Sequence, residues 1–303
     1  MIDINIMNKI IETLVNFLKI MRPYQWIKNT LVFIPMIMAH NITWDSFFYS
    51  TTAFIILSLV ASTIYIINDI ADINSDKLHT YKKFRPLAAG TISLIQSKIL
   101  ILFLIIFSSV LIINTNKNFQ MLVVGYFIVS NLYTFLLKKY VIIDILILAS
   151  LYTLRIIGGG LITNIYVSFW LISFSFLFFV SLAAVKRKLE LKNIKKSNQE
   201  VLHGRGYIVK DLKMISNVSL FFAIASIFIF ILYLNSSQTM SLYSSPKVLW
   251  IVCLILIYWI SRILIISNKG EISDDPIIFA IYDKNSYFCV VLILFFLWIG
   301  TTL

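Results

Sequence analysis

The sequence predicts an all-α membrane protein, a polytopic bundle of about nine transmembrane helices, and three observations lead there. Of the 303 residues 59% are hydrophobic and 13% charged, with a mean hydropathy of +0.89, more apolar surface than a water-soluble domain can hide. The apolar stretches are continuous and about twenty residues long, without the period-two alternation of a barrel. Nearly every Lys and Arg falls in alternate loops, as the positive-inside rule requires. The net charge of +12 therefore reads as membrane topology, and no nucleic-acid partner is expected.

Residues 1–28 carry Lys9, Lys19, Arg22 and Lys28 and are expected on the cytoplasmic side. They lack the basic start, apolar core and small-residue cleavage site of a signal peptide, so the first twenty residues are expected to persist as an interfacial amphipathic helix. A short first span runs from Thr30 to about His40, either tilted or beginning at the interfacial aromatics Tyr24 and Trp26. The second, from about Phe47 to Asn68, follows a loop that holds Asp45 and no basic residue. Ile92 to Ile113 is the third span, Met121 to Leu137 the fourth, Val141 to Ile162 the fifth and Ser168 to Val185 the sixth. The polar, Lys- and Arg-rich stretch from Lys186 to Lys213 is expected as the principal cytoplasmic loop. Met214 to Leu234, Val248 to Ile266 and Tyr287 to the carboxyl end complete the set, with a turn-rich hairpin at 268–276 before the last. Nine spans with the amino end inside leave Lys117 and Lys247 as the basic residues of outer loops. No linker, low-complexity tract or internal repeat interrupts the chain, so 1–303 reads as a single domain. Cys253 and Cys289 lie inside apolar spans without metal-ligand spacing and read as small core residues.

The chemistry concentrates at the end of the second span. Asn68-Asp69-x-x-Asp72-x-x-x-Asp76 places three of only 14 acidic residues at i, i+3 and i+7, expected on one helical face. Charges beyond a span are commonly a solvated helix end, but these begin directly after the apolar run Phe54 to Ile67, where burial of charge is costly. Carboxylates on Asp69, Asp72 and Asp76, assisted by the Asn68 amide, suit Mg2+, which keeps waters and completes its octahedron with substrate phosphate oxygens. Lys77, Lys82, Lys83 and Arg85 follow and could neutralise phosphate charge.

Tyr133, Lys138 and Asp144 form a second polar group at the junction of the fourth and fifth spans. Arg155 lies deep in the fifth span, where a charge costs a few kcal/mol; it shares a helical face with Asp144 at a distance of roughly 16 Å. Each is expected to face a polar cavity, with a structural ion pair to another helix as the alternative for Arg155. Gly158, Gly159 and Gly160 read as a close helix-packing site. Lys186 and Arg187 end the sixth span, where Arg187 and Glu190 could simply pair at i, i+3. His40, His79 and His203 form no metal set, and no nucleophile triad or phosphate-binding glycine loop is present.

The words Arg22-Pro-x-Gln25-Trp26-x-Lys28-Asn29, Asn68-Asp69-x-x-Asp72-x-x-x-Asp76, His79 through Arg85-Pro86-x-Ala88-Ala89-Gly90, and Tyr133-x-x-x-x-Lys138-x-x-x-x-x-Asp144 together resemble the UbiA-type membrane prenyltransferase superfamily. The resemblance continues through Lys186-Arg187-x-x-Glu190-Leu191 and Asp275-Pro276-x-x-Phe279-Ala280. Its nearest branch looks like the decaprenyl-phosphate phosphoribosyltransferases, which move 5-phosphoribose from phosphoribosyl diphosphate to a polyprenyl phosphate. Lys77 and Lys83 stand where arginine is usual and Thr80 where proline is common, which keeps charge but loses bidentate geometry. Aromatic-ring prenyltransferases of the superfamily usually carry a second aspartate-rich motif after the sixth span, and Lys186-Arg-Lys-Leu-Glu-Leu-Lys has no aspartate pair.

The resemblance thus implies a UbiA-like fold and a Mg2+-dependent transferase in a membrane, expected to be the bacterial inner membrane. Its expected partners are a polyprenyl phosphate or diphosphate lipid and a phosphorylated sugar donor. Asp69, Asp72 and Asp76 would hold the metal on a leaving diphosphate. Lys28, Lys138, Arg155 and Lys186 or Arg187 are candidates for the acceptor phosphate, and Asp144 for ribose hydroxyls or a second metal. Prenyl transfer from a polyprenyl diphosphate to an aromatic or other nucleophile is the alternative chemistry. A lipid-phosphate transporter without chemistry is the alternative of another class.

Overall fold

A computed structural model describes residues 4–78, 82–198, 200–202, 204–272 and 275–302. His79, Thr80, His203 and part of the 268–276 hairpin lie outside the described residues. Of the described residues 83% are helical, and no strand occurs among them, only an isolated antiparallel bridge between Val201 and Ile208. The helices are α1 (Ile4–Met21), α2 (Ile34–Met38), α3 (Trp44–Ala71), α4 (Ile73–Leu78), α5 (Leu94–Ile113), α6 (Lys117–Phe135), α7 (Ile143–Thr163) and α8 (Phe169–Lys196). After these come α9 (Leu212–Leu234), α10 (Ser237–Leu242), α11 (Leu249–Lys269), α12 (Pro276–Tyr282) and α13 (Lys284–Thr302). Seven helical segments among the described residues are long and apolar enough to cross a membrane. Their outward faces carry large apolar side chains such as Leu102, Phe103, Phe221 and Leu254, the surface a bilayer requires. This is a multi-pass integral membrane protein.

Three expectations about these elements change. The predicted first span is an eleven-residue 3-10 segment, Pro23–Phe33, followed by the five-residue α2. Pro23 and Pro35 each occupy a helix start and withhold a backbone donor, so no single α-helix spans the stretch. The predicted fourth span forms as α6, but Asn118, Gln120 and Asn131 leave it outside the seven. The sixth helix does not stop at Val185. It continues to Lys196, because Lys, Arg, Leu and Glu are strong helix formers and Leu189 and Leu191 are buried. Lys186, Arg187 and Glu190 therefore stand on a regular helix rather than in a loop.

By their contacts the residues group into two compact units, one of 1–134 with 155–166 and one of 135–154 with 167–303, so that α7 contributes to both. In the first unit α3 is the buried axis, packed on α5, α1 and the 3-10 segment. A core of Ile20, Leu59, Ile66, Leu87, Ile92 and Leu104 ties α1, α3, α5 and the turn after residue 85 together. In the second unit α8 lies along α9, and α11 packs on α13 and α9. Lysines secure the end of α11: Lys192 Nζ donates to the carbonyls of Ser267 (3.0 Å) and Asn268 (2.6 Å), and Lys188 Nζ to Ser267 Oγ.

The expectation that the glycine run packs closely is met most sharply at Gly159. A Cβ there would lie 2.0 Å from the Val32 carbonyl oxygen, so only glycine admits the 3-10 segment against α7. Gly159→Ala should destabilise the detergent-solubilised protein by about 1–3 kcal/mol, read as a lower thermal midpoint than that of Gly125→Ala, where a Cβ meets open space.

Candidate functional site

The acidic motif does not lie on one continuous helix. α3 ends at Ala71, Asp72 caps it with a near-bridge backbone (φ −96°, ψ 6°), and α4 begins at Ile73. The break separates the three carboxylates. Asp69 and Asp76 are buried, whereas Asp72 and Asn68 are partly exposed. Arg85 joins the buried two: its NH1 lies 2.7 Å from Asp76 Oδ2 and 3.2 Å from Asp69 Oδ1. Arg22 donates to the same Asp69 Oδ1 while its guanidinium lies 5.2 Å over the Tyr65 ring. Burial works against the charge on Arg22, but the Asp69 carboxylate outweighs it by charge and hydrogen bond and holds the guanidinium above its ordinary pKa.

This arrangement decides what the acids can hold. Among the described residues no group of three or more His, Cys, Asp or Glu side chains gathers into a metal cage. Both arginines take one oxygen of Asp69, and Arg85 takes one of Asp76. Asp69 Oδ2 and Asp76 Oδ1 accept no hydrogen bond among the described residues. Two buried carboxylates with one uncommitted oxygen each fit an ion such as Mg2+, which takes one or two carboxylates and completes its shell with water and substrate phosphate. Lys77, Lys82 and Lys83 are exposed nearby in the sequence, Lys83 lying 5.2 Å over the Phe84 ring.

Lys28 and Arg155 are both buried in the first unit. Arg155 Nε donates to Asn29 Oδ1 at 2.7 Å and its NH2 to the Tyr126 hydroxyl at 2.6 Å. Tyr133 and Lys138 are partly exposed and make contacts of their own.

Asp144 heads the polar cluster of the second unit and is fully buried. It accepts from Arg187 Nε (2.5 Å), from the Tyr207 hydroxyl and, at 3.4 Å, from Arg205 NH1. Arg187 also pairs with Glu190, and Arg205 Nε lies 3.4 Å from Glu190, so two acids and two arginines form a closed ring. The Tyr207 hydroxyl in turn accepts from the Ile142 backbone N–H at 2.9 Å. Beside it a Cβ on Gly206 would stand 2.3 Å from the Lys139 carbonyl oxygen. The short hairpin around 200–209 is thereby pinned onto the start of α7. Lys186 donates to Asp275, the N-cap of α12, at 3.1 Å. Asp144 thus sits in an ion-paired network rather than facing an open polar cavity. Arg22, Arg205 and Tyr207 are the participants that sequence reasoning assigned no role. Arg22 stood within a quoted word, two glycines flank Arg205, and nothing local marks Tyr207.

The sequence profile of the UbiA prenyltransferase family matches residues 30–204, over half of the chain. The chain belongs to this family. Among curated relatives, the uncharacterized protein y4nM of Sinorhizobium fredii is 33% identical over 92% of this chain, which spans only 54% of that protein's length. The nodulation protein NoeC of Azorhizobium caulinodans is 29% identical over 89% of this chain and 88% of its own. The decaprenyl-phosphate phosphoribosyltransferase of Mycolicibacterium smegmatis is 28% identical over 94% of this chain and 90% of its own. Among solved structures, a UbiA homologue from Archaeoglobus fulgidus bound to DMAPP and Mg2+ superposes with a TM-score of 0.69 at 14% identity, covering 95% of this chain and 99% of that one. A digeranylgeranylglyceryl phosphate synthase follows at 0.62 and 21%, over 95% and 98% of the two chains. These likenesses establish the UbiA fold.

Removing the Asp144 carboxylate leaves the buried Arg187 charge short of its partner. Asp144→Ala should therefore cost about 3–5 kcal/mol, with faster proteolysis within 197–211 as the accompanying sign. Burial, with the Asp144 hydrogen bond and charge, pushes the Tyr207 phenol above its ordinary pKa of 10.0. The proton is held more tightly in the folded chain than in the unfolded one. The stabilisation is complete below pH 10 and declines as pH rises past it, a loss that Tyr207→Phe should lack in pH-resolved thermal denaturation.

Proposed function

We propose that this chain transfers 5-phosphoribose from phosphoribosyl diphosphate to a polyprenyl phosphate, with Mg2+, at the cytoplasmic face of a bacterial inner membrane. Its amino end would lie inside, and the whole chain would act as one UbiA-like domain. The observation that carries the reading is the buried Asp69–Asp76 pair joined by Arg85, with one oxygen of each acid uncommitted among the described residues. Asp69 and Asp76 would hold the metal, with Asn68 and Asp72 at its edge. When bound, Mg2+ supplies charge neutralisation for the departing diphosphate.

The rest falls to side chains. Arg85 and the Lys77, Lys82 and Lys83 ammonium groups offer donors to diphosphate oxygens. Carbon 1 of the ribose loses its bond to diphosphate oxygen and gains one to the lipid phosphate oxygen. Because that acceptor is already an anion, the chain need supply no general base. Lys28, Tyr133, Lys138 and Lys186 are the proposed substrate-contacting groups. Arg155, Asp144 and Arg187 act at one remove, since protein partners engage them.

The choice of donor is supported by the near full-length similarity to a decaprenyl-phosphate phosphoribosyltransferase. It is also supported by the end of α8, where Arg187 and Glu190 bind each other in place of an aspartate pair. Prenyl transfer is the second reading, favoured by neighbours of the same fold bound to DMAPP or GPP.

Purified protein given phosphoribosyl diphosphate, prenyl diphosphates and several acceptors in parallel, with products read by mass spectrometry, decides between them. The expected product is polyprenyl-phosphate phosphoribose, lost with EDTA, restored by Mg2+ and reduced at least about a hundredfold in Asp69→Ala. Transfer of a prenyl group instead would favour the second reading, and lipid movement without covalent product a transporter. Undiminished turnover in Asp69→Ala would remove the metal role.

A further inference from the structure

The 3-10 segment Pro23–Phe33 of the first unit is fastened along its length. Trp26 Nε1 donates to Ser62 Oγ at 2.9 Å, and Asn29 Nδ2 to Ser58 Oγ at 3.0 Å. The Ser62 hydroxyl in turn lies 2.9 Å from two acceptors for its one proton, the Ser58 carbonyl and the Met21 carbonyl directly before Arg22. Asp69, Tyr65, Ser62 and Ser58 follow one another at intervals of four, three and four residues, a single stripe along α3. Arg22, Trp26 and Asn29 meet that stripe from the 3-10 side. From the other side, Arg155 holds Asn29 and Gly159 receives the Val32 carbonyl, one turn apart on α7.

At the near end of this clamp stands Arg22, with a left-handed φ of 55°. A non-glycine residue keeps that conformation only when its surroundings fix it. Here the surroundings are the Ser62 hydroxyl beside the Met21 carbonyl, the Tyr65 ring and Asp69. At the far end Arg155 donates from Nε to Asn29 and from NH2 to Tyr126, and its guanidinium lies 5.0 Å over the Tyr126 ring. Ser58 and Asp69 are separated by about 16 Å along α3.

We propose that Arg155 is a positioning residue: by holding Asn29 it fixes the register of the 3-10 segment and so places Arg22 on Asp69. This rests on the reading of Asp69 as part of a metal–diphosphate site. It assigns the deep arginine a task other than contact with a substrate phosphate. Arg155 orients Asp69 through Arg22, leaving Asp69 Oδ2 for the ion.

The test uses the full chain in detergent and measures the affinity for Mn2+ with inorganic diphosphate by electron paramagnetic resonance, independent of which donor the enzyme uses. Arg22→Gln should weaken that affinity by about tenfold or more, the scale of a charged hydrogen bond. Arg155→Gln and Asn29→Ala should each weaken it by roughly fivefold or more, and Arg155→Lys by less than Arg155→Gln. If Arg155 works through Arg22, the double variant Arg22→Gln/Arg155→Gln should bind within about twofold of Arg22→Gln alone. A general loss of structure would instead multiply the two effects. Asn29→Ala, which leaves Arg155 on Tyr126, carries the same comparison should Arg155→Gln fail to fold. Wild-type affinity in Arg22→Gln, Arg155→Gln or Asn29→Ala, or multiplying losses in the double, overturns the proposal. Failure of the wild-type chain to bind Mn2+ with diphosphate would overturn the metal reading beneath it.

Discussion

Two guanidinium groups converge on a single oxygen, Oδ1 of Asp69, and the first unit is organised by that convergence. A carboxylate exposed to only 2% at the end of an apolar helix must be matched by positive charge or forgo its ionisation. Arg22 and Arg85 reach it from opposite directions in sequence. The turn carrying Arg85 is anchored because Leu87 and Ile92 enter the core with Leu59 and Ile66. Arg22 is anchored because α3 and α7 grip the segment that follows it. The helix break at Asp72 then lets Asp76 fold back to the same Arg85 nitrogen, which an unbroken helix would not guarantee.

The second unit repeats the device with other residues. Arg187 and Arg205 are balanced by Asp144 and Glu190, and the ring closes only because a hairpin delivers Arg205 and Tyr207 to the start of α7. Ion pairs of this kind return little net stability by themselves, since desolvation offsets attraction. What the contacts do here is bind the connection that carries Arg205 and Tyr207 to Asp144 at the start of α7. The difference between the two clusters is chemical. Asp69 and Asp76 each retain an oxygen without a hydrogen bond among the described residues, whereas Asp144 is engaged at both of its oxygens.

Much of this was legible in the sequence, and the failures have physical causes. The bilayer demands long apolar runs, so most spans could be read directly. The first could not, because hydropathy registers the side chains of Pro23 and Pro35 and overlooks the donors they lack. The extension of α8 was hidden because Lys186 to Lys196 looks solvated, although burial of Leu189 and Leu191 and high helix propensity carry the helix onward. Spacing put Asp69, Asp72 and Asp76 on one face, and only the backbone at Asp72 revealed the break. Asp144 and Arg155 were recognised as costly polar groups, but their partners lie far away in sequence. Tyr207 is 63 residues from Asp144, and Asn29 is 126 from Arg155.

The contrast between α3 and α5 carries a final consequence. Both are strongly apolar, yet most of α3 is buried inside the protein and most of α5 is exposed. Lipid accepts any greasy shape, while a packed interior accepts few. Exchange among Leu, Ile, Phe and Val should therefore be tolerated far better on the outward face of α5 than within α3. The membrane thus supplies α5 with a forgiving surround, while the helix that presents Asp69 is shaped on nearly every side by its own protein.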